Sequence, residues 1–377
     1  MNYSTSDFTL GILGGGQLGK MLLQVTSRLS IKTNILDPSD DSPCKEICSK
    51  FTKGPLMDFK TVYDFGKECD LITYEIEHVN VDALEKLELE GIKVYPNSKT
   101  LKIIQDKSTQ KKFFVKNDIP TANYKHYKSL KDLDTIKYPC VWKKTKFGYD
   151  GYGVKILKSK DDIKNLPETE FIIEDLVPFK KELATTIARN KSGQIEIFPI
   201  VEMMFNEVSN QVEYVLCPAQ ISSEINEKAK KIALKVSESF KQVGLLAVEM
   251  FLTHDNKILI NEVAPRPHNS AHYSIESCIN SQFDQHINSI LDLPLGSSKS
   301  NFYAIMINLV GELGHEGKVV YEGIKEAMLI ENTKLHLYGK SKTKPNRKMG
   351  HATVLDSNLE NALKKAKKIK ELVKVKT

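Results

Sequence analysis

Two glutamates on either side of a turn are the residues whose types and spacing point most directly to chemistry. Residues 245–270 read as a strand, a tight turn at 254–257 and a second strand. With the turn centred between Asp255 and Asn256, Glu249 lies directly opposite Glu262 on the same face of the hairpin. Like charges in that position are destabilising, so the pair needs a cation, and Mg²⁺ binds carboxylate oxygens while sharing its other positions with phosphates. The alternative is a solvated hairpin with two unrelated glutamates.

A polar loop follows the second strand directly. Residues 264–274, APRPHNSAHYS, combine an arginine, two histidines and small polar side chains: Arg266, His268, Asn269, Ser270 and His272. This combination beside a metal hairpin favours an oxyanion or phosphate site. The alternative is a polar loop that caps a helix.

Two glycine-rich loops could approach phosphates. The first, Gly14 to Gly19, follows a strand, opens a helix and fits a dinucleotide fingerprint, with Asp37 about where a ribose-binding acid would lie. It is equally compatible with another ligand or with a merely tight turn. The second is KKTKFGYDGYG at 143–153, where lysines precede glycines whose amides can approach a phosphate closely. Its alternative is a flexible hairpin with solvated lysines.

The segment 172–182 lies between the second glycine-rich loop and the hairpin, and it reads as an edge strand followed by a linker. Backbone groups of such a segment can bind an adenine ring, with Glu174 and Glu182 near the base edge and the ribose. Taken alone, both glutamates are better explained as ordinary surface acids.

Composition limits the class of protein. The chain has 377 residues with 41% hydrophobic content, enough for two or three domains. No run approaches the roughly 18 to 20 apolar residues of a spanning helix, and the N-terminus lacks the pattern of a secretory signal, so we expect a cytoplasmic protein without membrane contact. The six cysteines have neither metal-ligand nor disulfide spacing and are predicted to be reduced.

The net charge of +6 is partly concentrated in the C-terminal tail. Apolar residues recur there at helical spacing, which predicts a docked helix with lysines on its wet face rather than a nucleic-acid arm: Leu359, Leu363, Ala366, Ile369 and Val373.

Three parts follow one another along the chain. Residues 1–100 alternate strand and helix signals, which predicts an α/β domain with a doubly wound parallel sheet. Residues 101–300 mix short strands and helices, which predicts an α+β domain with one sizeable antiparallel sheet. Residues 301–377 predict a small β-rich domain closed by the basic helix.

Taken together, the motifs resemble the ATP-grasp ligases, and within them the 5-(carboxyamino)imidazole ribonucleotide synthetases of purine biosynthesis. The resemblance covers nearly the whole chain and rests on GILGGGQLGKML, TYEIEHV, KKTKFGYDGYG, NEVAPRPHNSAH and PNRKMGH. It implies an N-terminal parallel sheet, a central ATP-grasp domain that holds nucleotide between two lobes, with a lid lobe at about 120–175, and a C-terminal domain. It also implies ATP and Mg²⁺ as cofactors, aminoimidazole ribonucleotide and bicarbonate as substrates, and a homodimer.

The resemblance assigns roles by motif. The residues implied in ATP binding are Lys107, Lys143, Gly148, Tyr149, Asp150, Gly151, Tyr152, Gly153, Val154, Glu174, Asp175, Leu176, Val177, Glu182, Asn261 and Glu262. Those implied in ribonucleotide binding are Gln17, Leu18, Glu75, Ser270, Arg347 and Lys348. Those implied around the reacting centre are Tyr149, Asp150, Arg266, His268, Asn269 and His272. Glu249 and Glu262 would hold magnesium.

Three departures from the family pattern bear on these roles. Tyr152 and Val154 replace a lysine and a glutamine of the glycine loop, which removes one lid contact to the phosphates. Phe205 replaces a histidine that contacts ATP, and Ala271 replaces a glycine, a change that we expect to be tolerated.

The implied reaction is ATP-dependent carboxylation of the ribonucleotide amine through carboxyphosphate. Other ATP-grasp ligases remain alternatives, either a formate-dependent glycinamide ribonucleotide transformylase or a biotin-type carboxylase. A nicotinamide-dependent dehydrogenase would use the first glycine loop. A non-catalytic nucleotide-binding regulator gains support from the departures.

Overall fold

The computed structural model describes residues 3, 5–133, 136–146, 148, 153–206, 209 and 211–377. The predicted site residues Tyr149, Asp150, Gly151 and Tyr152 lie outside this described part of the chain.

The N-terminal part is a five-stranded parallel sheet with helices. Its strands are β1 (Thr9–Leu13), β2 (Lys32–Asp37), β3 (Lys50–Lys53), β4 (Leu71–Tyr74) and β5 (Lys93–Val94), and its helices are α1 (Gln17–Arg28), α2 (Phe59–Gly66) and α3 (Val81–Leu89). The strand order is β3-β2-β1-β4-β5, and every pair is parallel. All of β1 and β4 is buried, as parallel strands covered by helices on both faces require. The predicted doubly wound parallel sheet is confirmed.

Two short helices connect this sheet to the centre of the chain, α4 (Ser98–Ile104) and α5 (Lys107–Lys116). From the sequence alone, residues 98–118 (SKTLKIIQDKSTQKKFFVKND) read as one helical stretch. Asp106 divides it, because its carboxylate accepts a hydrogen bond from the N–H of Thr109 and so caps a new helix.

A four-stranded antiparallel sheet occupies the range in which the resemblance implies a lid lobe. Its strands are β6 (Tyr124–Tyr127), β7 (Cys140–Lys144), β8 (Val154–Leu157) and β9 (Phe171–Asp175), in the order β6-β9-β7-β8, with 3₁₀ turns at Leu130–Asp132 and Lys160–Asn165. The prediction of an edge strand at 172–182 is wrong, since β9 lies between β6 and β7. Four successive residues from Phe171 to Glu174 are buried, so both faces of β9 are covered.

Between the lid lobe and residue 310, the described residues form seven strands and three helices. They are β10 (Phe179–Arg189), β11 (Ile195–Ile197), β12 (Val201–Phe205), β13 (Val212–Cys217), α6 (Ser223–Phe240), β14 (Gly244–Thr253), β15 (Ile258–Ala264), α7 (Ser274–Ser277), α8 (Gln282–Ile290) and β16 (Tyr303–Val310), with a 3₁₀ turn at Asn269–Ala271.

The C-terminal part is rich in short strands. They are β17 (Gly317–Lys318), β18 (Val320–Glu322), β19 (Thr333–Leu337), β20 (Lys342–Thr343), β21 (Lys348–Asp356) and β22 (Lys374–Lys376), with helices α9 (Ile324–Met328) and α10 (Leu359–Leu372). The predicted basic helix is confirmed, because α10 buries Ala362, Ala366 and Ile369 and leaves its lysines at least partly exposed.

One large sheet links the central and C-terminal parts. Its order is β15-β14-β10-β12-β13-β16-β21-β19, with β11 paired to β10. The antiparallel pair of β13 and β16 places the C-terminal strands beside the strands that lead to the carboxylate hairpin. In the described part of the chain, no helix is both long and apolar enough to cross a membrane.

Candidate active site

The carboxylate hairpin consists of β14 and β15, and it corrects the predicted register. Its turn spans three residues, with Asn256 at φ +60, instead of being centred between Asp255 and Asn256. The pairs Val248↔Val263 and Met250↔Ile260 show that β15 carries one extra residue. This bulge sets both Asn261 and Glu262 against Glu249, so the two glutamates still face each other.

The two glutamates differ in the charged groups that surround them. Lys107, the first residue of α5, forms an ion pair with Glu262, and this charge holds the pKa of Glu262 well below its usual range. Burial, reinforced by the negative charge of Glu262, raises the pKa of Glu249 to about 8. His268 Nε2 lies 3.4 Å from Glu249 Oε1. The raised pKa of Glu249 shows that nearby cations do not fully compensate the ionised form of both carboxylates, so a further cation would favour the ionised pair.

The hairpin opens into a cleft of about 700 Å³ that all three parts of the chain line. Predicted site residues that line this cleft are Gln17, Leu18, Glu75, Lys107, Gly148, Glu249, Glu262, Arg266, His268, Asn269, His272, Arg347 and Lys348. Of the residues that the structure describes between 120 and 175, only Thr145 and Gly148 line the cleft.

Glu174 lies beneath the cleft in a buried ion network. Its carboxylate is 3.1 Å from Lys111 Nζ and 2.9 Å from Lys143 Nζ, and its side chain is 3% exposed. Burial lowers the pKa of Lys111 to about 8, although the charge of Glu174 opposes this effect. Glu174 is therefore directed at two lysines. The surface-acid alternative for this residue is wrong.

Lys143 connects this network to the hairpin. Its ammonium also donates to Asn261 Oδ1 at 2.9 Å, so the bulged residue of β15 holds the lysine. Strand β7 positions Lys143 opposite Val154, and Gly153 closes the β7–β8 hairpin at φ +80.

The other predicted nucleotide-binding residues lie at the junction of β9 and β10. Asp175 is exposed and accepts a hydrogen bond from Asn123, while Leu176 and Val177 are half-buried in the connection. Glu182 lies on β10, and burial raises its pKa to about 7, with the charge of Glu262 also contributing. Glu182 is therefore close enough to the hairpin for the charge of Glu262 to affect its pKa. None of these residues lines the cleft described above.

The glycine loop of the N-terminal sheet is held by two carboxylates. Asp37 accepts from the N–H of Gly15 at 2.7 Å, and Glu75 accepts from the N–H of Gly16 at 3.0 Å. Gly14 has φ +96, and a Cβ there would lie 2.7 Å from Glu75 Oε1. A dinucleotide pyrophosphate would need these amides and would meet two acids, so the geometry disfavours the dehydrogenase alternative.

The polar loop after β15 contains three anchored side chains. Arg266 pairs with Glu77 at 2.8 Å, and His268 Nδ1 lies 2.9 Å from the hydroxyl of Ser270. Ser270 is buried, so its hydroxyl holds His268 instead of lining the cleft. Asn269 exchanges two amide hydrogen bonds of 2.9 Å with Asn308 of β16.

Cationic side chains from the C-terminal part line the cleft. Lys348 begins β21 and Arg347 precedes it, where its guanidinium donates to the carbonyl of Lys342. Lys340 lines the same cleft and donates to the carbonyl of Lys348 at 2.8 Å. These three cations make the cleft suited to an anionic ligand.

The departures from the family pattern have distinct positions. Phe205 ends β12 and lines the cleft. Val154 is half-buried at the start of β8, whereas Ala271 is buried in an apolar cluster that includes Tyr273. Tyr152 lies outside the described residues.

Sequence reasoning missed several residues of this site. Lys111 lies four residues after Lys107 on the same helix, a spacing that could have identified it. Asn308 is a lone amide within the apolar strand YAIMINLV, which is also a signal. Gln282 contacts His268 and His272 from the start of α8, and no motif marks it.

Three family models match successive parts of the chain. The Ribonucleotide synthetase preATP-grasp domain matches residues 8–105, the ATP-grasp domain matches 112–283, and the Phosphoribosylaminoimidazole carboxylase C-terminal domain matches 304–365.

Individual relatives agree with these matches. The N5-carboxyaminoimidazole ribonucleotide synthase of Bacillus subtilis is 35% identical over 354 residues, covering 92% of this chain and 91% of that protein. The crystal structure of the N5-carboxyaminoimidazole ribonucleotide synthetase from Thermotoga maritima superposes with a TM-score of 0.91 at 42% identity, covering 98% and 99% of the two chains. An Aspergillus clavatus synthase, in complex with ADP and 5-aminoimidazole ribonucleotide, has a TM-score of 0.87 at 33% identity and covers 97% and 99%.

The chain spans only part of the relatives named phosphoribosylaminoimidazole carboxylase, but nearly all of those named N5-carboxyaminoimidazole ribonucleotide synthase. It spans 65% of the phosphoribosylaminoimidazole carboxylase of Vigna aconitifolia and 64% of that of Saccharomyces cerevisiae. The relatives from bacteria, by contrast, are spanned almost completely.

Proposed function

The chain belongs to the N5-carboxyaminoimidazole ribonucleotide synthetase family of ATP-grasp ligases, and on this premise we propose that it carboxylates the exocyclic amine of 5-aminoimidazole ribonucleotide with ATP and bicarbonate. The observation that carries the proposal is the opposed pair Glu249 and Glu262, facing a cleft that also contains Arg347 and Lys348. The products would be 5-(carboxyamino)imidazole ribonucleotide, ADP and phosphate.

The proposed reaction has three steps. A bicarbonate oxygen attacks the γ-phosphorus of ATP, and the bond from that phosphorus to the β,γ-bridging oxygen breaks, which gives carboxyphosphate and ADP. Carboxyphosphate then divides into carbon dioxide and phosphate. The amine nitrogen attacks the carbon dioxide and transfers a proton to the phosphate released in the previous step, which gives the carbamate. A closed cleft favours this sequence because it keeps water from the labile intermediate.

The cations near the hairpin support the phosphoryl step. We assign Lys107 and Lys143 to the ATP phosphates, since Lys107 contacts Glu262 and Lys143 contacts Asn261. Ionic groups fixed where charge develops are worth most in a water-poor site. This role requires Glu174 to hold Lys143 from below, as their 2.9 Å ion pair does.

Glu249 and Glu262 fit a magnesium ion. Both are hard oxygen donors, and the raised pKa of Glu249 marks negative charge without sufficient compensation. In the described part of the chain there is no cluster of three or more His, Cys, Asp or Glu that could hold a metal, so phosphate oxygens and water would complete the coordination. Bound magnesium would offset charge on the transferring phosphoryl group.

The ribonucleotide would occupy the part of the cleft lined by the N-terminal loop and the C-terminal cations. Arg347 and Lys348 would bind its phosphate, with Gln17 and Leu18 beside the ribonucleotide. His268, Asn269 and Arg266 would surround the reacting carboxyl group. A homodimer and a cytoplasmic location remain predictions from the sequence.

The test is ADP release by the purified protein in complete mixture and with one component omitted at a time. We expect release with MgATP, bicarbonate and aminoimidazole ribonucleotide together, and loss of release without any one of them. ADP formation that persists without the ribonucleotide would contradict the proposal. Formate-driven turnover with glycinamide ribonucleotide, or carboxylation of biotin, would assign the chain to another ATP-grasp ligase.

A further inference from the structure

Gln282, the first residue of α8, has a side-chain amide whose orientation is fixed by one backbone residue. Its Oε1 accepts from the N–H of His268 at 2.8 Å, and its Nε2 donates to the carbonyl of His268 at 2.9 Å. A backbone N–H can only donate and a carbonyl can only accept, so the amide cannot be reversed without losing both bonds. Gln282 is completely buried.

This fixed amide determines the proton of a neighbouring histidine. The Nε2 of Gln282 is also 2.9 Å from Nδ1 of His272, and its second hydrogen is directed there. Because Nε2 of Gln282 is a donor, Nδ1 of His272 must be the acceptor. A neutral His272 therefore carries its proton on Nε2, the ring nitrogen not engaged by Gln282.

The surroundings of the His272 ring keep it in place and uncharged. Its centroid lies 5.9 Å from that of Phe283 and 4.8 Å from that of His351, with interplanar angles of 29° and 30°. Burial holds the pKa of His272 well below its usual range, and positive neighbours act in the same direction. The ring nevertheless lines the cleft.

We propose that Gln282 is a positioning residue that fixes His272 as the neutral Nε2–H tautomer, so that His272 presents an uncharged hydrogen-bond donor to the carboxyl oxygens of the substrate in the cleft. The choice of ligand rests on the proposed function. The fixed tautomer does not, because it follows from hydrogen bonds within the chain.

An uncharged donor suits this position. Arg266, Lys348 and His268 line the same cleft, so a protonated His272 would add repulsion among cations. A neutral N–H can still stabilise negative charge that develops on a carboxyl oxygen, and removal of one such donor typically lowers turnover by about 10²- to 10³-fold.

The direct experiment is ¹⁵N NMR of the histidine rings in the full-length protein without substrates. The His272 signals are identified by their loss in His272→Asn. We expect the Nε2–H pattern for wild type at neutral pH. A signal pattern with the proton on Nδ1, or with both nitrogens protonated, would overturn the proposal whether or not the protein turns over.

Two variants at position 282 separate positioning from folding. In Gln282→Glu a carboxylate faces Nδ1, so we expect a proton on Nδ1 and ADP release reduced by about 100-fold with a similar KM for ATP. In Gln282→Leu the fixed donor is lost, and we expect a mixture of both tautomers. An unchanged Nε2–H pattern in both folded variants would refute the role of Gln282.

Gln285 provides the matched control. It is also completely buried on α8, but its amide donates to the carbonyl of Gly296 and has no contact with the His272 ring. We expect Gln285→Glu to keep the wild-type His272 pattern. A changed pattern there would mean that any carboxylate buried on α8 disturbs the ring, which would contradict a specific role for Gln282. Absence of turnover with an intact Nε2–H pattern would instead count against the proposed function alone.

Discussion

Two regions of this molecule each bring a pair of carboxylates to the cleft, and they differ in the groups that compensate those carboxylates. In the glycine loop, Asp37 and Glu75 accept hydrogen bonds from backbone N–H groups of the loop itself. In the hairpin, Glu249 and Glu262 face each other across a bulge. Burial raises the pKa of Glu75 to about 7, and the Gly16 N–H opposes this rise, whereas the charge of Glu262 adds to the rise at Glu249.

The difference indicates which acids support the fold and which await a ligand. A carboxylate with backbone donors is part of the local structure with or without substrate. Opposed carboxylates lower the stability of the fold unless a cation binds between them, so their contribution to stability depends on the bound ligand. Acids of both regions line the same cleft, and the groups that donate to them distinguish their roles.

The largest expected effect is on turnover when the hairpin loses a charge. We expect Glu262→Gln to lower ribonucleotide-dependent ADP release by about 10²-fold or more, because it removes a proposed metal ligand and the partner of Lys107. Asp255→Asn is the matched control, since Asp255 lies at the exposed tip of the same hairpin. Equal turnover by the two variants would remove the hairpin from the reaction.

The next effect is stabilisation by nucleotide and metal. At a MgADP concentration of about 100 times its Kd, we expect wild type to gain about 2.7 kcal/mol, measured as a shift in Tm. Glu249→Gln should lose most of the part that requires magnesium, whereas Asp37→Asn should keep it. A magnesium-dependent shift that persists in Glu249→Gln would place the ion elsewhere.

A smaller effect concerns pH in metal-free protein. Burial raises the pKa of Glu249 from its ordinary value of 4.5 to about 8 in the folded state. Between these two pH values the folded state therefore binds more protons than the unfolded state, and stability falls as pH rises. The slope for one group cannot exceed about 1.4 kcal/mol per pH unit. Glu75 contributes a similar fall, but one that runs from about pH 4.5 to about pH 7 and levels off above it.

Glu249→Gln isolates the hairpin contribution. Buried histidines such as His286, whose pKa burial lowers to about 3, are neutral in both states above pH 7 and do not mask it. Chemical unfolding between pH 7 and 8.5 should therefore show a shallower fall in the variant than in wild type. An identical fall in both would show that Glu249 is ionised throughout.

The hairpin was predictable from sequence because two apolar strands flank a turn, and both glutamates occupy predictable positions within them. The bulge could not be predicted, because the extra residue Asn261 contacts Lys143, which is more than a hundred positions away in the sequence. Glu174 was not recognised for the same reason. In the sequence it resembles a surface acid, and its ion pairs with Lys111 and Lys143 form only in the folded chain.

The N-terminal sheet was predictable because its strands are short apolar runs between helices. The role of the glycine loop was not, since its motif fits several ligands equally. Asp37 and Glu75 are distant in sequence, and only the neighbouring positions of β1, β2 and β4 bring both acids to the loop. Gln282 lacked any signal because its role depends on the direction of one amide.

The smallest expected effect concerns Asp37, one of the two acids that hold the glycine loop. Asp37 accepts from Gly15 N–H with one oxygen and from Ser39 N–H with the other, whereas asparagine offers a single acceptor. We therefore expect Asp37→Asn to lower the free energy of unfolding by about 1 kcal/mol in urea titrations. Asp40→Asn, on the exposed surface nearby, should change it little. The loss at Asp37 should be the same with and without MgADP, because its partners belong to the loop. If MgADP instead removed the loss, Asp37 would depend on the ligand as the hairpin acids do, and the distinction between the two regions would fail.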